Sequence, residues 1–321
     1  MPVLNPQGLL QERIIAVRGY HEAANVPRAE LDVSGGVDSA VMLGLLAHAL
    51  GPERITAVYQ GIRSSEASLL RAREAAAVFG VALVEVDLTS LVDRLVDAMV
   101  EGLATAGFDR SAIEARMRAE PTVLGSIRSC VRAPVGRGFN RLTGGGIRHG
   151  TGNECEDRWL RFYQKGGDGE VDTNPIAMLS KGEVYQLGRT LGVPRSILTA
   201  LPTPDLWGQG EQHSDEQELQ DWLGVPFTYS RVDPDTGAYT QVGTIERVSR
   251  FADTHDLFGA AELDPAWALP GVSLADSAAF LAAARRVERL TRHKANPNCP
   301  ALGSRASLVS AGLLTNELPL A

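Results

Sequence analysis

Apolar residues recur with alternating helical and strand spacing through the first third of the chain. Within residues 8–24, Leu9, Leu10, Ile14, Val17 and Tyr20 share one broad face, which predicts an amphipathic helix. An apolar run at Leu31 and Val33 predicts a short strand, and a helix follows over 39–50. Strand-like residues 55–59, a helical stretch 66–79, strand-like residues 81–86 and a helix over 88–104 continue the alternation. In the last of these helices Leu91, Leu95, Val96, Met99 and Leu103 recur near helical spacing. Such alternation predicts βαβ units, hence an α/β fold with a doubly wound, mainly parallel sheet. Ligands of these sheets bind beyond the carboxyl ends of the strands, so the turn after Val33 is the first place to seek chemistry.

The pattern is less regular further on. Pro121 interrupts it, and residues 128–142, rich in Arg and Gly, read as irregular. Gly144, Gly145, Gly146, Ile147, Arg148 and His149 make a poor buried strand. Residues 181–191 read as a helix ended by Gly192 and Pro194. Pro, Asp and Gly punctuate 224–272, and a last helix is expected over 274–293. The organisation expected is one domain over 1–294, with an insertion within about 222–272, and a tail over 295–321 that matches no element.

Composition narrows the class. The 321 residues suit one large α/β domain or two small ones, since domains run to roughly 100–200 residues. With 31 Lys plus Arg against 39 Asp plus Glu, the net charge of −8 argues against non-specific nucleic-acid binding. Cys130, Cys155 and Cys299 are too scattered for a disulfide framework, and no CxxC pair points to zinc. Charges throughout 1–24 leave no apolar signal-peptide core, and no run of ~18 apolar residues could span a membrane. A soluble cytoplasmic protein is the expectation.

Leu31, Asp32 and Val33 lead into Ser34-Gly35-Gly36-Val37-Asp38-Ser39, and then a helix begins. Adjacent glycines let backbone approach a polyanion, and the N–H groups of a helix start favour negative charge. Ser34 and Ser39 can donate to phosphate oxygens. Asp38 suits such a place only with a cation between, which reads as a Mg²⁺ ligand. The loop is neither GxxxxGK[ST] nor GxGxxG. The alternative is an ordinary Gly-rich turn with Ser39 as a helix cap.

SGGVDS resembles the pyrophosphate-binding loop of the ATP pyrophosphatase group, whose fold is adenine-nucleotide alpha-hydrolase-like. Further on stand Gly150-Thr151-Gly152-Asn153-Glu154-Cys155-Glu156 and Phe162-Tyr163-Gln164-Lys165-Gly166-Gly167-Asp168-Gly169. Asp172, Asn174, Pro175, Ile176, Lys181 and Pro202-Thr203-Pro204-Asp205-Leu206-Trp207 follow in order. The series resembles the synthetase domain of the NAD synthetase family, whose pattern reads GTGNxxE, FxxKYGDG, DxNPI, K and PTADL.

The resemblance implies that ATP is a cosubstrate and Mg²⁺ a cofactor. Asp38 and Glu156 would hold the metal, with Asp157 a rival for the second place. Ser34, Gly35, Gly36, Asp38, Ser39, Thr151, Lys181 and Thr203 would contact ATP. Arg132, Lys165, Asp172, His293 and Lys294 would contact the dinucleotide, and Asp168 could accept a proton from ammonia. Asp38, Asp168 and Lys181 are thus the implied catalytic residues. A carboxylate is adenylated and then amidated with ammonia, with AMP and pyrophosphate released. Deamido-NAD is the expected acid, free ammonia or a separate ammonia-supplying protein the nitrogen source, and a homodimer the usual assembly.

Four places depart from that pattern. Ser126 and Cys130 stand where the family has Asn and Arg, although Arg132 keeps a second Arg. The strand before GTGN is Gly-rich, Gly166 replaces a Tyr, and Ala295 replaces an Arg. The stretch from Thr203 to His293 is longer than the pattern leads one to expect. Arg128, Arg132 or Arg148 could supply the cation that Cys130 does not. Two alternatives stay open: a paralogous amide ligase acting on another carboxylate, and a nucleotide-binding protein without turnover.

Overall fold

The computed structural model describes residues 3–203, 214–255, 257, 262–294 and 302–317. Residues 204–207 of the PTPDLW string, together with Ala295 and Cys299, lie outside the described residues.

Helix α1 (Pro6–Ala24) starts at Asn5, whose side chain accepts from Gly8 N, and ends at Asn25 in the left-handed conformation. Then come β1 (Ala29–Asp32), α2 (Val37–Leu50), β2 (Ile55–Gly61), α3 (Glu66–Val78), β3 (Leu83–Asp87) and α4 (Thr89–Thr105). The alternation expected from the sequence is present, with boundaries shifted by a few residues. After α5 (Arg110–Ala119) and α6 (Pro121–Leu142), β4 (Ile147–His149) completes a parallel sheet of order β3-β2-β1-β4.

Strand alternation sorts side chains onto two faces. Ala29, Leu31, Ile55, Ala57 and Tyr59 join the core built from α1, α2 and α7 (Lys181–Leu191). Glu30, Asp32, Thr56 and Gln60 belong to the other face. There Gln60 Nε2 donates to Arg132 O and Arg132 Nε donates to Gln60 O, both at 3.1 Å, which ties α6 to the sheet.

Two expectations are corrected here. Residues 128–142 lie within one helix, and Pro121 opens it, a position where a missing N–H costs nothing. Its buried positions are Gly125, Arg128, Ser129, Ala133, Gly136 and Asn140, a stripe of small and polar residues that carries no hydrophobic period. At Gly136 a Cβ would overlap the Arg148 guanidinium, so this glycine sets how closely α6 approaches the sheet. The segment 147–149 is a buried strand after all. Arg148 pairs with Glu30 and Asp32, each at 2.5 Å, and donates to Glu170 O, while His149 stacks on His21. The interior accepts the strand because its charges are neutralised there.

The stripe on α4 also differs from a core face. Val92 and Val100 are buried, whereas Leu91, Leu95, Met99 and Leu103 are 38–45% exposed.

A second core lies beyond α7 and α8 (Arg195–Leu198). A π-helical turn (Cys155–Leu160), α9 (Asp215–Leu223), α10 (Thr244–His255) and α11 (Leu274–Thr291) supply Leu160, Leu219, Val248, Phe251, Phe280 and Val287, and Phe227 joins them. A small antiparallel pair, β5 (Arg231–Val232) and β6 (Tyr239–Gln241), borders it. The tail carries α12 (Arg305–Ser310), and its Leu308 and Leu314 belong to the first core. Among the described residues no helix is long and apolar enough to cross a membrane.

Candidate active site

The strand order reverses at β1, with β2 on one side and β4 on the other. Chain leaving β1 and chain leaving β4 diverge at this point, and the crevice between them is where open α/β sheets hold ligands. The loop after β1 is formed by Gly35 at φ 84°, a left-handed conformation in which a Cβ would overlap the Ser68 carbonyl oxygen. Gly36 is the N-cap of α2, without a side-chain cap bond, so Ser39 is not the cap. Ser39 Oγ instead donates to Gly36 O at 3.0 Å and lies 3.1 Å from Ser34 Oγ, and Ser34 N donates to it at 3.2 Å. The two hydroxyls therefore stand together at a helix start, where backbone N–H groups favour an anion.

Three distant segments meet at Lys181. It is the first residue of α7, fixed by a capping box in which Ser180 and Glu183 satisfy each other's backbone N–H groups. Lys181 Nζ donates to Asp38 Oδ2 at 2.7 Å and to Glu156 Oε1 at 3.0 Å, and lies 5.2 Å from the Tyr229 ring centroid. Asn153 links the same groups, donating to Asp38 Oδ1 at 3.1 Å and accepting from Cys155 N and Glu156 N. Burial pulls the Lys181 ammonium down, but Asp38 and Glu156 outweigh it and hold the group well above its ordinary value. Burial leaves the Glu156 carboxyl raised although Lys181 draws it down. One cation for two carboxylates leaves a site short of positive charge.

Asp157 takes another position. It accepts from Asn174 Nδ2 at 2.9 Å, and burial pushes its carboxyl well above the usual range. Glu156, and not Asp157, shares Lys181 with Asp38.

A cavity of about 740 Å³ adjoins this node, lined among others by Thr151, Glu156, Asp157, Tyr163, Asp168 and Asn174. That volume suits a small-molecule ligand. Asp168 accepts from Ser129 Oγ at 2.7 Å and from Gln164 N at 2.8 Å. Lys294 Nζ donates to Tyr163 O at 2.7 Å and Arg161 O at 3.2 Å, and Tyr163 Oη returns a bond to Lys294 O. His293 precedes it in a short 3₁₀ turn (Arg292–Lys294). Asp172 pairs with Arg137 at 2.8 Å and accepts from Arg148 N. Lys165 stands beside Cys130, whose Sγ lies 4.0 Å from Lys165 O. Burial, with Asp168 nearby, pushes the Cys130 thiol up, so it stays neutral. Thr203 is half-buried.

Arg148 cannot stand in for the family's arginine at position 130, because both its arms are held by Glu30 and Asp32 in the interior. Sequence reasoning missed Asn174 as the partner of Asp157. It also missed the cavity wall made by Ser304, Arg305 and Asn316, for which no local signal exists.

The description of the NAD synthase family matches residues 9–236. The chain is 32% identical to an NH(3)-dependent NAD(+) synthetase of Thermoplasma volcanium, over 72% of this chain and 84% of that one. It is also 32% identical to an enzyme of the same name from Methanosarcina acetivorans, over 65% and 75%. Among solved structures, NMN synthetase from Francisella tularensis superposes with a TM-score of 0.65 at 19% identity, covering 94% of this chain and 99% of that one. An NH3-dependent NAD synthetase from Campylobacter jejuni superposes at 0.60 with 16% identity, over 90% and 96%. These two likenesses concern the fold. With the family description matched over most of its length and the relatives at this identity, the chain belongs to the NAD synthase family and is a carbon–nitrogen ligase.

Proposed function

We propose that this chain amidates the carboxylate of deamido-NAD with ammonia at the expense of ATP, releasing AMP and pyrophosphate. The observation that carries the reading is Lys181 between Asp38 and Glu156, beside the Ser34–Ser39 loop at the strand-order reversal. The loop N–H groups and hydroxyls would bind the triphosphate, and Thr151 and Thr203 would contact the nucleotide. Asp38 and Glu156 are hard oxygen donors from distant segments, and they lack a full complement of positive charge. That set fits Mg²⁺, which is commonly held by one or two carboxylates plus substrate phosphates. When bound, the ion would offset charge on the departing pyrophosphate.

The substrate carboxylate attacks the α-phosphorus and pyrophosphate leaves, giving the acyl-adenylate. Ammonia attacks the acyl carbon, AMP leaves, and the surplus proton passes to Asp168 or solvent. Lys181, kept cationic, offers a point charge to the phosphates. Arg132, Lys165, Asp172, His293 and Lys294 would hold the dinucleotide.

A second reading, a paralogous ligase for another acid, draws on Cys130. A neutral thiol stands where the family pattern has a cation. The test is AMP formation from ATP, Mg²⁺ and ammonium with a panel of carboxylates, including deamido-NAD and nicotinate mononucleotide. AMP with deamido-NAD supports the first reading, and AMP with another acid alone the second. Nucleotide binding without turnover supports neither ligase.

We further propose that the exposed stripe Leu91, Leu95, Met99 and Leu103 on α4 meets a second copy of the chain. Residues four apart form one continuous apolar ridge, which a partner would remove from water. Leu95→Glu with Met99→Glu should convert dimer to monomer in light scattering, and a wild-type monomer would refute the contact.

A further inference from the structure

The C-terminal segment 302–317 lies outside the residues that match the family description, yet it walls the cavity with Ser304, Arg305, Ala306 and Asn316. Its position is secured from several sides. Leu302 O accepts from Arg13, Leu314 bridges Val3, and Arg305 Nη2 donates to Thr315 O at 2.6 Å.

Arg305 also reaches α7. Its guanidinium forms a two-pronged pair with Glu183, Nη1 to Oε2 at 2.7 Å and Nη2 to Oε1 at 2.6 Å. Glu183 is fully buried, and its Oε2 also accepts from Ser180 N at 2.8 Å, the bond that caps α7 one residue before Lys181. Arg250 completes the group, with Nη1 2.7 Å from Glu154 Oε2 and Nη2 3.4 Å from Glu183. Glu154 N in turn donates to Leu179 O at 2.8 Å, and Glu154 stands two residues before Glu156. Arg158 Nη1 also donates to Glu154 Oε1 at 3.2 Å, so Glu154 is met by Arg250 and Arg158, and Glu183 by Arg305 and, at longer range, Arg250. Without Arg305, Glu183 would keep only the 3.4 Å contacts of Arg250, and the buried acid that caps α7 would lose its close cation.

We propose that Arg305 is a positioning residue for Lys181, acting through Glu183 from the C-terminal segment. The inference rests on the ligase reading above, since Lys181 matters through its place at the phosphates.

The test compares Arg305→Met, Arg305→Lys, Glu183→Gln and the Met/Gln double variant. Readouts are pyrophosphate-release kcat, KM for the carboxylate, equilibrium Kd for ATP with Mg²⁺, and Tm. Arg305→Met should lower kcat at least tenfold and weaken ATP binding at least fivefold, with the carboxylate KM within twofold. Arg305→Lys keeps the charge but not the fork and should lose about threefold in kcat. The double variant should be no worse than its worse parent. A lowered Tm with wild-type kcat and Kd well below that Tm would overturn the proposal, as would additive losses in the double variant. Arg292→Met, which removes a pair with Glu288 on α11, is the control and should leave all constants unchanged. Should Arg305→Met not fold, Arg305→Lys decides: wild-type kcat and Kd there overturn the proposal. If the wild-type protein turns over no carboxylate, the ligase reading fails by itself. The ATP Kd then decides the role of Arg305, a fivefold loss supporting it and an unchanged value refuting it.

Discussion

Lys181 Nζ donates to Asp38 Oδ2 at 2.7 Å, joining residues 143 positions apart. The contact ties the start of α7 to the loop after β1, and with Glu156 it makes a node from three segments. Each partner has a distinct expected effect.

Asp38→Asn removes one charge and keeps a group of the same size. Its fold should survive, since the side chain is at the helix start and not in the apolar core. Pyrophosphate release should fall by roughly two orders of magnitude or more, the scale seen when one charge-stabilising group is removed. Near wild-type kcat with an unchanged circular dichroism spectrum would sink the assignment.

Lys181→Met leaves two carboxylates facing each other with no cation. Breaking such a pair costs roughly 3–5 kcal/mol when fully buried, and less here because Asp38 and Glu156 reach solvent in part. Mg²⁺ should therefore raise the Tm of this variant more than that of wild type. Equal shifts in a thermal melt would argue against a metal between the two acids.

Ammonium should support amide formation by the purified chain, whereas glutamine alone should not. The rate at fixed total ammonium should rise with pH, because only neutral ammonia is nucleophilic. Glutamine-driven turnover in a preparation free of glutaminase would contradict this.

Cys130→Arg restores a cation at the place where the family pattern has one. If deamido-NAD is the substrate, its KM should stay level or fall. Arg132→Ala should raise that KM about ten- to a hundredfold, as removal of a charged hydrogen bond does, with the ATP KM almost unchanged. The reverse pattern, ATP affected and the acid not, would place Arg132 elsewhere.

His21 and His149 meet at 2.9 Å through Nε2, while His21 Nδ1 lies 2.7 Å from Val26 O. That arrangement has His21 donating through Nδ1, so His149 donates from Nε2 and its Nδ1 has no hydrogen-bond partner among the described residues. Burial, followed by the neighbouring His21, holds His149 down to about 3, against an ordinary value near 6.5. The unfolded chain therefore binds the extra proton first. The stability contributed by neutral His149 is full above about pH 6.5 and is lost as pH falls toward 3, by up to about 1.4 kcal/mol per pH unit. Glu30, pushed up to about 7 chiefly by burial, works in the opposite direction, so the comparison must be with a single variant. His149→Gln should flatten the acid limb in urea unfolding between pH 6.5 and 4.5. Parallel profiles would show that His149 does not titrate with unfolding.

Local sequence determined those parts of the protein whose causes are local. The helix–strand alternation of the first third follows from side-chain period. The Gly35 turn follows from a backbone conformation that only glycine adopts cheaply, and the α7 start follows from Ser180 and Glu183 three residues apart. The pairing of Asp38 with an acid near 156 was legible from motif order, but nothing local separates Glu156 from Asp157. Tertiary structure decided that, because one acid meets Lys181 and the other Asn174. It also decided that Arg148 lies in a buried strand and not in a substrate site. A charged residue in a local window argues against a strand, and only Glu30 and Asp32, more than a hundred residues away, remove the cost. The α6 stripe hid for a related reason: Gly125, Ser129, Ala133 and Gly136 are buried by close backbone approach, which leaves no hydrophobic period to read. Arg305 shows the same limit at the far end of the chain, where an ordinary arginine becomes part of the cavity wall only because the fold brings Glu183 to it.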